Sequence, residues 1–169
     1  MKFNYYAFRA MYFHEMDRFK RTLMQSLFSP VLSTSLYFIV FGSVIGGYVE
    51  KIDGISYGSF IVPGLLMLTL LTQSISNTSF GIFFPKFNGT MYEILAAPIS
   101  TFEIVLAFVG AGATKTLLVG VVIFITATFF VEVQVIYPLL MIFLLVLVAF
   151  TFALFGFLIG LMSSNFEQM

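Results

Sequence analysis

"PKFNGTMYEILAAPIS", residues 85–100, is the stretch that decides the fold of this chain. It places two prolines, a glycine, a lysine and a glutamate between two runs apolar enough to cross a bilayer. Thr90-x-x-Glu93 fits a capping box, in which the threonine hydroxyl accepts from the Glu93 N–H and the carboxylate reaches back. A helix is therefore predicted to start at Met91. Pro98 disfavours helical geometry at Ala97 and would forfeit a backbone bond inside a helix, which limits the segment to Met91–Ala97, about 10 Å long. Ser100-x-x-Glu103 offers a second capping box, so a new helix is expected from Thr101 into the next apolar run. A two-turn helix does not persist alone in water. It has to pack on something, and Tyr92, Ile94 and Leu95 are the side chains suited to contact.

Outward from this stretch the chain reads as an all-α membrane protein. Of its 169 residues 60% are hydrophobic and 9% charged, against roughly 25% charged in soluble domains. A helix needs about 20 mostly apolar residues to span the hydrocarbon core. Four segments qualify: 30–48, about 60–80, about 113–131 and 137–162. Ser29-Pro30 reads as a cap followed by proline at the first helical position, and Gly46-Gly47 as the end of that span. Residues 1–29 form an N-terminal segment and 30–169 one membrane domain. No internal repeat or low-complexity linker divides it.

Basic residues favour the cytoplasmic side of a membrane. Lys2, Arg9, Arg18, Lys20, Arg21, Lys86 and Lys115 fall on one predicted side, and Lys51 alone on the other. The N-terminus and residues 85–100 are thus expected in the cytoplasm, with 49–58 and 132–136 outside. Asn88-Gly-Thr90 and Asn77-Thr-Ser79 match the glycosylation pattern by chance on this topology. The N-terminus lacks the features of a signal peptide and is kept as mature sequence. Its Arg9, Glu15, Asp17, Arg18, Lys20 and Arg21 alternate with Phe8, Met11, Tyr12, Phe19, Leu23 and Leu27, a mixture suited to an amphipathic interfacial helix with Arg18, Lys20 and Arg21 toward the phosphates. A helix packed on protein is the alternative. Asp17 can pair with Lys20 and Arg21 at helical spacing.

"IVPGLLMLTLLTQSISNTSFGIFFPKFNGTMYEILAAPIS" (61–100), "EIVLAFVGAGATKTLLVG" (103–120) and "FALFGFLIGLMSSNFEQM" (152–169) together resemble the permease subunits of type-2 ABC exporters, a class handling polysaccharide, lipo-oligosaccharide and drugs. Pro63-Gly64, the 86–100 block and Asn165-Phe166-Glu167-Gln168 make the likeness specific, and it covers essentially the whole chain. The resemblance implies an interfacial N-terminal helix, six spans, a permease homodimer in the inner (cytoplasmic) membrane, and a separate ABC ATPase subunit that binds the ATP. It also implies that the short helix, Thr90, Met91, Tyr92, Glu93, Ile94 and Leu95, is the coupling helix that docks on the ATPase. Four spans where six are expected imply a chain truncated at its C-terminus.

Little else in the sequence points to chemistry. "GAGATKT" (110–116) lacks the glycine that a phosphate loop needs before its lysine, and it opens a span. With His14 the single histidine and no cysteine, no metal site, catalytic triad or bound cofactor is expected. The balanced charge, eight basic and eight acidic residues, gives no nucleic-acid signal. Gln73, Ser76 and Asn77 are polar residues in the second span, suited to a substrate path in a dimer or to bonds between helices. Lys115 is expected to snorkel to the headgroups, too far from Glu103 to pair with it. Pro63-Gly64 marks a kink. Intramembrane acid–base pairs would favour an ion-coupled carrier, the alternative function along with a stand-alone scaffold, and none is evident.

Overall fold

The computed structural model describes residues 3–45, 51–52, 55–133 and 135–165. The expected stop at Gly46-Gly47 and Phe166-Glu167-Gln168 of the closing motif lie outside the described residues. In order come α1 (Tyr5–Arg21), α2 (Leu23–Tyr37) continuing as π-helical turns (Phe38–Ile45), a two-residue antiparallel pair β1 (Lys51–Ile52) and β2 (Ile55–Ser56), α3 (Tyr57–Phe87), α4 (Met91–Ala96), α5 (Thr101–Phe130) and α6 (Pro138–Met162). Among the described residues, four stretches are long and apolar enough to cross a membrane: Leu23–Phe41, α3, α5 and α6.

Two boundaries differ from the sequence expectation. The first span's helix starts at Leu23, and Pro30 lies inside it rather than at its first turn. Thr22 is the real break, its hydroxyl bonded back to the Arg18 and Phe19 carbonyls. Pro30 forfeits one ladder bond, a loss that a helix packed among others tolerates, and its ring is buried. α3 likewise passes through Pro63 and Pro85 before ending at Phe87, about seven residues beyond the predicted span. The fourth span matches closely, with Pro138 in the first turn, where its missing N–H costs nothing.

α3 is the centre of the bundle. α6 runs parallel to it: Ser74 donates to the Ala149 carbonyl at 2.6 Å, and further along Gly156 faces Ile75 and Gly160 faces Ser79. Ala149, Ala153, Gly156 and Gly160 form the contact stripe of α6, as helix pairs in lipid need, because small residues let backbones approach. A Cβ at Gly156 would lie 2.9 Å from the Ile75 Cα. α5 runs antiparallel to α3, with Gly112 over Thr78 and Gly120 over Leu70. Lys86, at the end of α3, donates to the Leu161 and Ser163 carbonyls at 2.7 and 2.8 Å. A cation there satisfies carbonyls that the end of α6 leaves open. The main core cluster, including Ile82, Ile104, Phe108, Ala149 and Phe157, sits where α3, α5 and α6 converge.

Candidate functional site

α4 and the corner that follows it form the candidate site. The corner at Gly89 requires positive φ (+79°), which only glycine adopts cheaply. That turn leaves Thr90 already helical (φ −62°, ψ −19°), with no capping bond from its hydroxyl. The predicted Thr90–Glu93 capping box is therefore not formed. A capping residue needs extended backbone for its side chain to reach the N3 N–H, and Thr90 lacks it. Backbone bonds start the helix instead, Glu93 N to Thr90 O at 3.1 Å and Ile94 N to Thr90 O at 3.3 Å. Its last residue is Ala96, one short of the expectation, as the extended Ala97 (ψ 153°) leads into Pro98.

The second capping box is present in full. Ser100 Oγ accepts from Glu103 N at 3.3 Å, and Glu103 Oε2 accepts from Ser100 N at 2.8 Å.

α4 packs on the chain itself through Met91 and Ile94, which rest against the main core cluster. That changes the side chains offered outward: Ile94 and Met91 face in, whereas Thr90, Tyr92, Glu93 and Leu95 face out. Tyr92 is 79% and Leu95 63% exposed. Phe87, the last residue of α3, and Phe102, in the first turn of α5, are exposed as well.

α1 lies alongside α5 in the same direction. Asn4 N donates to Glu103 Oε1, Tyr12 Oη to Thr114 Oγ1 at 2.9 Å, and Lys115 Nζ to Glu15 Oε2 at 2.8 Å. Farther on, Phe19 packs with Val119 and Ile123. Lys115 does not snorkel: its side chain is buried and bonded to an equally buried Glu15, which also holds Arg18 at 2.9 Å. A lysine whose carboxylate partner is within reach avoids stretching to the headgroups, because burial of the charge is then compensated. An acid–base pair at the base of a span is therefore present, though none was evident in the sequence. The pair joins residues 100 positions apart, and only the lone charge of Lys115 within an apolar run could have signalled it. Gly81 lies beside it: a Cβ there would sit in ordinary van der Waals contact with the Glu15 carboxylate at 3.4 Å and Arg18 at 3.6 Å.

The remaining charges of α1 point away from α5. Lys20 bonds Asp17 at 2.9 Å, and both are exposed. This ammonium holds the Asp17 carboxyl below its ordinary range, first through the hydrogen bond and then through its charge. Arg21 is exposed, and Arg9 lies over the Phe13 ring at 5.5 Å.

Gln73, Ser76 and Asn77 lie along α3 and differ in their surroundings. Asn77 donates to Gln73 at 3.4 Å one turn away, while Ser76 is exposed. Gln73 lines a groove of about 260 Å³ between α2 and α3, with Ser29, Ser33, Thr34, Thr69 and Thr72 around it. Thr69 and Thr72 satisfy their hydroxyls on carbonyls of their own helix. Among the described residues no group of His, Cys, Asp or Glu is placed to hold a metal ion.

Long apolar helices, small-residue seams and a capped corner between the second and third spans define a polytopic helical membrane protein. Residues 6–169 match the ABC-2 type transporter family, and the chain belongs to it. Proteins named inner membrane transport permease YadH, from Escherichia coli K12, E. coli O157:H7 and Shigella flexneri, are each 36% identical over 163 residues. The alignment covers 96% of this chain and 64% of theirs, so the chain spans less than two thirds of the relatives' length. No solved structure matches it.

Proposed function

We propose that the chain supplies four spans of the membrane subunit of an ATP-driven exporter in the inner membrane, with α4 as the docking point for a separate ATPase. The observation that carries this is the outer face of α4. Tyr92 and Leu95 are exposed on a six-residue helix whose other face is already anchored by Met91 and Ile94. A helix so short cannot hold its place unaided, and an anchored one presenting an aromatic and an aliphatic side chain has the character of an interface centre. On this reading α4 and the N-terminus are cytoplasmic. The exposed Arg9, Lys20 and Arg21 of α1 meet headgroups of the inner leaflet, and two copies of the subunit form the path. The charge-free groove at Gln73 borders that path and suits an amphipathic, uncharged segment of a lipid-linked or drug-like substrate.

The test is co-purification of the ATPase with the full-length subunit. Tyr92→Ala combined with Glu93→Lys is expected to reduce recovery of the ATPase at least tenfold while leaving the subunit's yield in the membrane unchanged. Undiminished recovery would remove α4 from the interface.

A further inference from the structure

The two oxygens of Glu103 serve different elements. Oε2 closes the corner after α4 by accepting from Ser100 N, and Oε1 accepts from Asn4 N, the residue that caps α1. The side chain is buried, in the first turn of α5. A carboxylate can accept both bonds at once, whereas a capping box needs only one of its oxygens. The second oxygen therefore does something the cap does not require: it fastens the start of α1 to the hinge between α4 and α5. Beyond it, Tyr12–Thr114 and Glu15–Lys115 fasten the rest of α1 along α5.

We propose that Glu103 is a positioning residue that ties the α4–α5 corner to α1, so that a displacement of α4 carries α1 with it. The proposal rests on α4 being the element that a partner moves, but its test needs no partner. If the tie fails, the docking role stands; if docking fails, the tie remains measurable.

The sequence contains no cysteine, so Tyr6→Cys and Tyr92→Cys, both at well-exposed positions, can carry nitroxide labels without background. Pulsed electron resonance on the labelled protein in lipid nanodiscs reports the distance between α1 and α4. The parent pair is expected to give one narrow distribution. Glu103→Gln keeps the shape but replaces one acceptor with a donor, so only one of the two bonds survives, and the distribution is expected to broaden at least twofold. Asn4→Pro removes the N–H itself and should broaden it similarly. Asn4→Gly, which keeps the N–H and is a tolerated cap, should leave it narrow. The Asn4 pair decides the matter even if Glu103→Gln folds poorly. An unchanged width in Glu103→Gln, or equal widths for Asn4→Pro and Asn4→Gly, would overturn the proposal.

Discussion

The buried pair of Glu15 and Lys115 makes an asymmetric prediction. Each side chain is 4% exposed, and the two atoms are 2.8 Å apart. Glu15 has a second partner in Arg18, at 2.9 Å with its side chain 27% exposed, whereas Lys115 has no other acidic partner among the described residues. Glu15→Gln therefore strands a buried ammonium and should cost the full penalty for breaking such a pair, about 3–5 kcal/mol. Lys115→Met leaves a carboxylate still held by Arg18, so about 1–2 kcal/mol is expected. The double variant removes both charges and keeps the volume. No buried charge is then stranded, and the amide oxygen at position 15 can still accept from Arg18, so it should lie within about 1 kcal/mol of the parent, a coupling of at least ~3 kcal/mol. The assay is reversible SDS unfolding in mixed micelles followed by far-UV circular dichroism, because the chain has no tryptophan to report. If Lys115→Met proves as damaging as Glu15→Gln, or the double variant equals the sum of the singles, the ion pair is not the fastening described.

The same assay checks four other expectations. Gly156→Val should cost more than about 3 kcal/mol or prevent folding, because its Cβ would meet backbone of α3 that cannot withdraw. Gly64→Ala, with nothing within 4 Å, should be neutral or stabilising by up to ~1 kcal/mol. Thr90→Ala should change stability by less than about 0.5 kcal/mol because its hydroxyl caps nothing, while Ser100→Ala loses a formed cap and about 1 kcal/mol. The Asp17 carboxyl is held below its ordinary range by Lys20, so its contribution is present above the unfolded-state value and is lost as pH falls through the lower folded one. Asp17→Asn should abolish that acid-side decline, seen as a flatter stability profile in the acid range, with little change at neutral pH because the pair is exposed.

The spans were legible because bilayer thickness imposes a length and composition that any sequence must show. The start of α5 at Thr101 was legible too, through Ser100-x-x-Glu103, but the end of α3 was not. Residues 81–87 extend α3 past the predicted span, where packing in the main core cluster replaces the hydrocarbon as the source of burial. Ser100-x-x-Glu103 and Thr90-x-x-Glu93 carry the same pattern, yet only the first caps, because the backbone at Gly89 rather than the side-chain code decided the geometry of Thr90. Among the candidate contacts, Tyr92 and Leu95 face outward. Ile94 turned inward, which depends on where Ile104 and Phe108 lie. The Glu15–Lys115 bond could not be read at all from local spacing, since nothing near Glu15 encodes a partner in α5.

That bond also orders events at the ribosome. Glu15 emerges 100 residues before Lys115, roughly 5–20 s at ordinary synthesis rates. During that interval α1 has no α5 to lie along, and its carboxylate and arginine must stay hydrated while two spans enter the bilayer ahead of their third neighbour. α1 is made before every span it packs against, yet it finds its place only after α5 has followed.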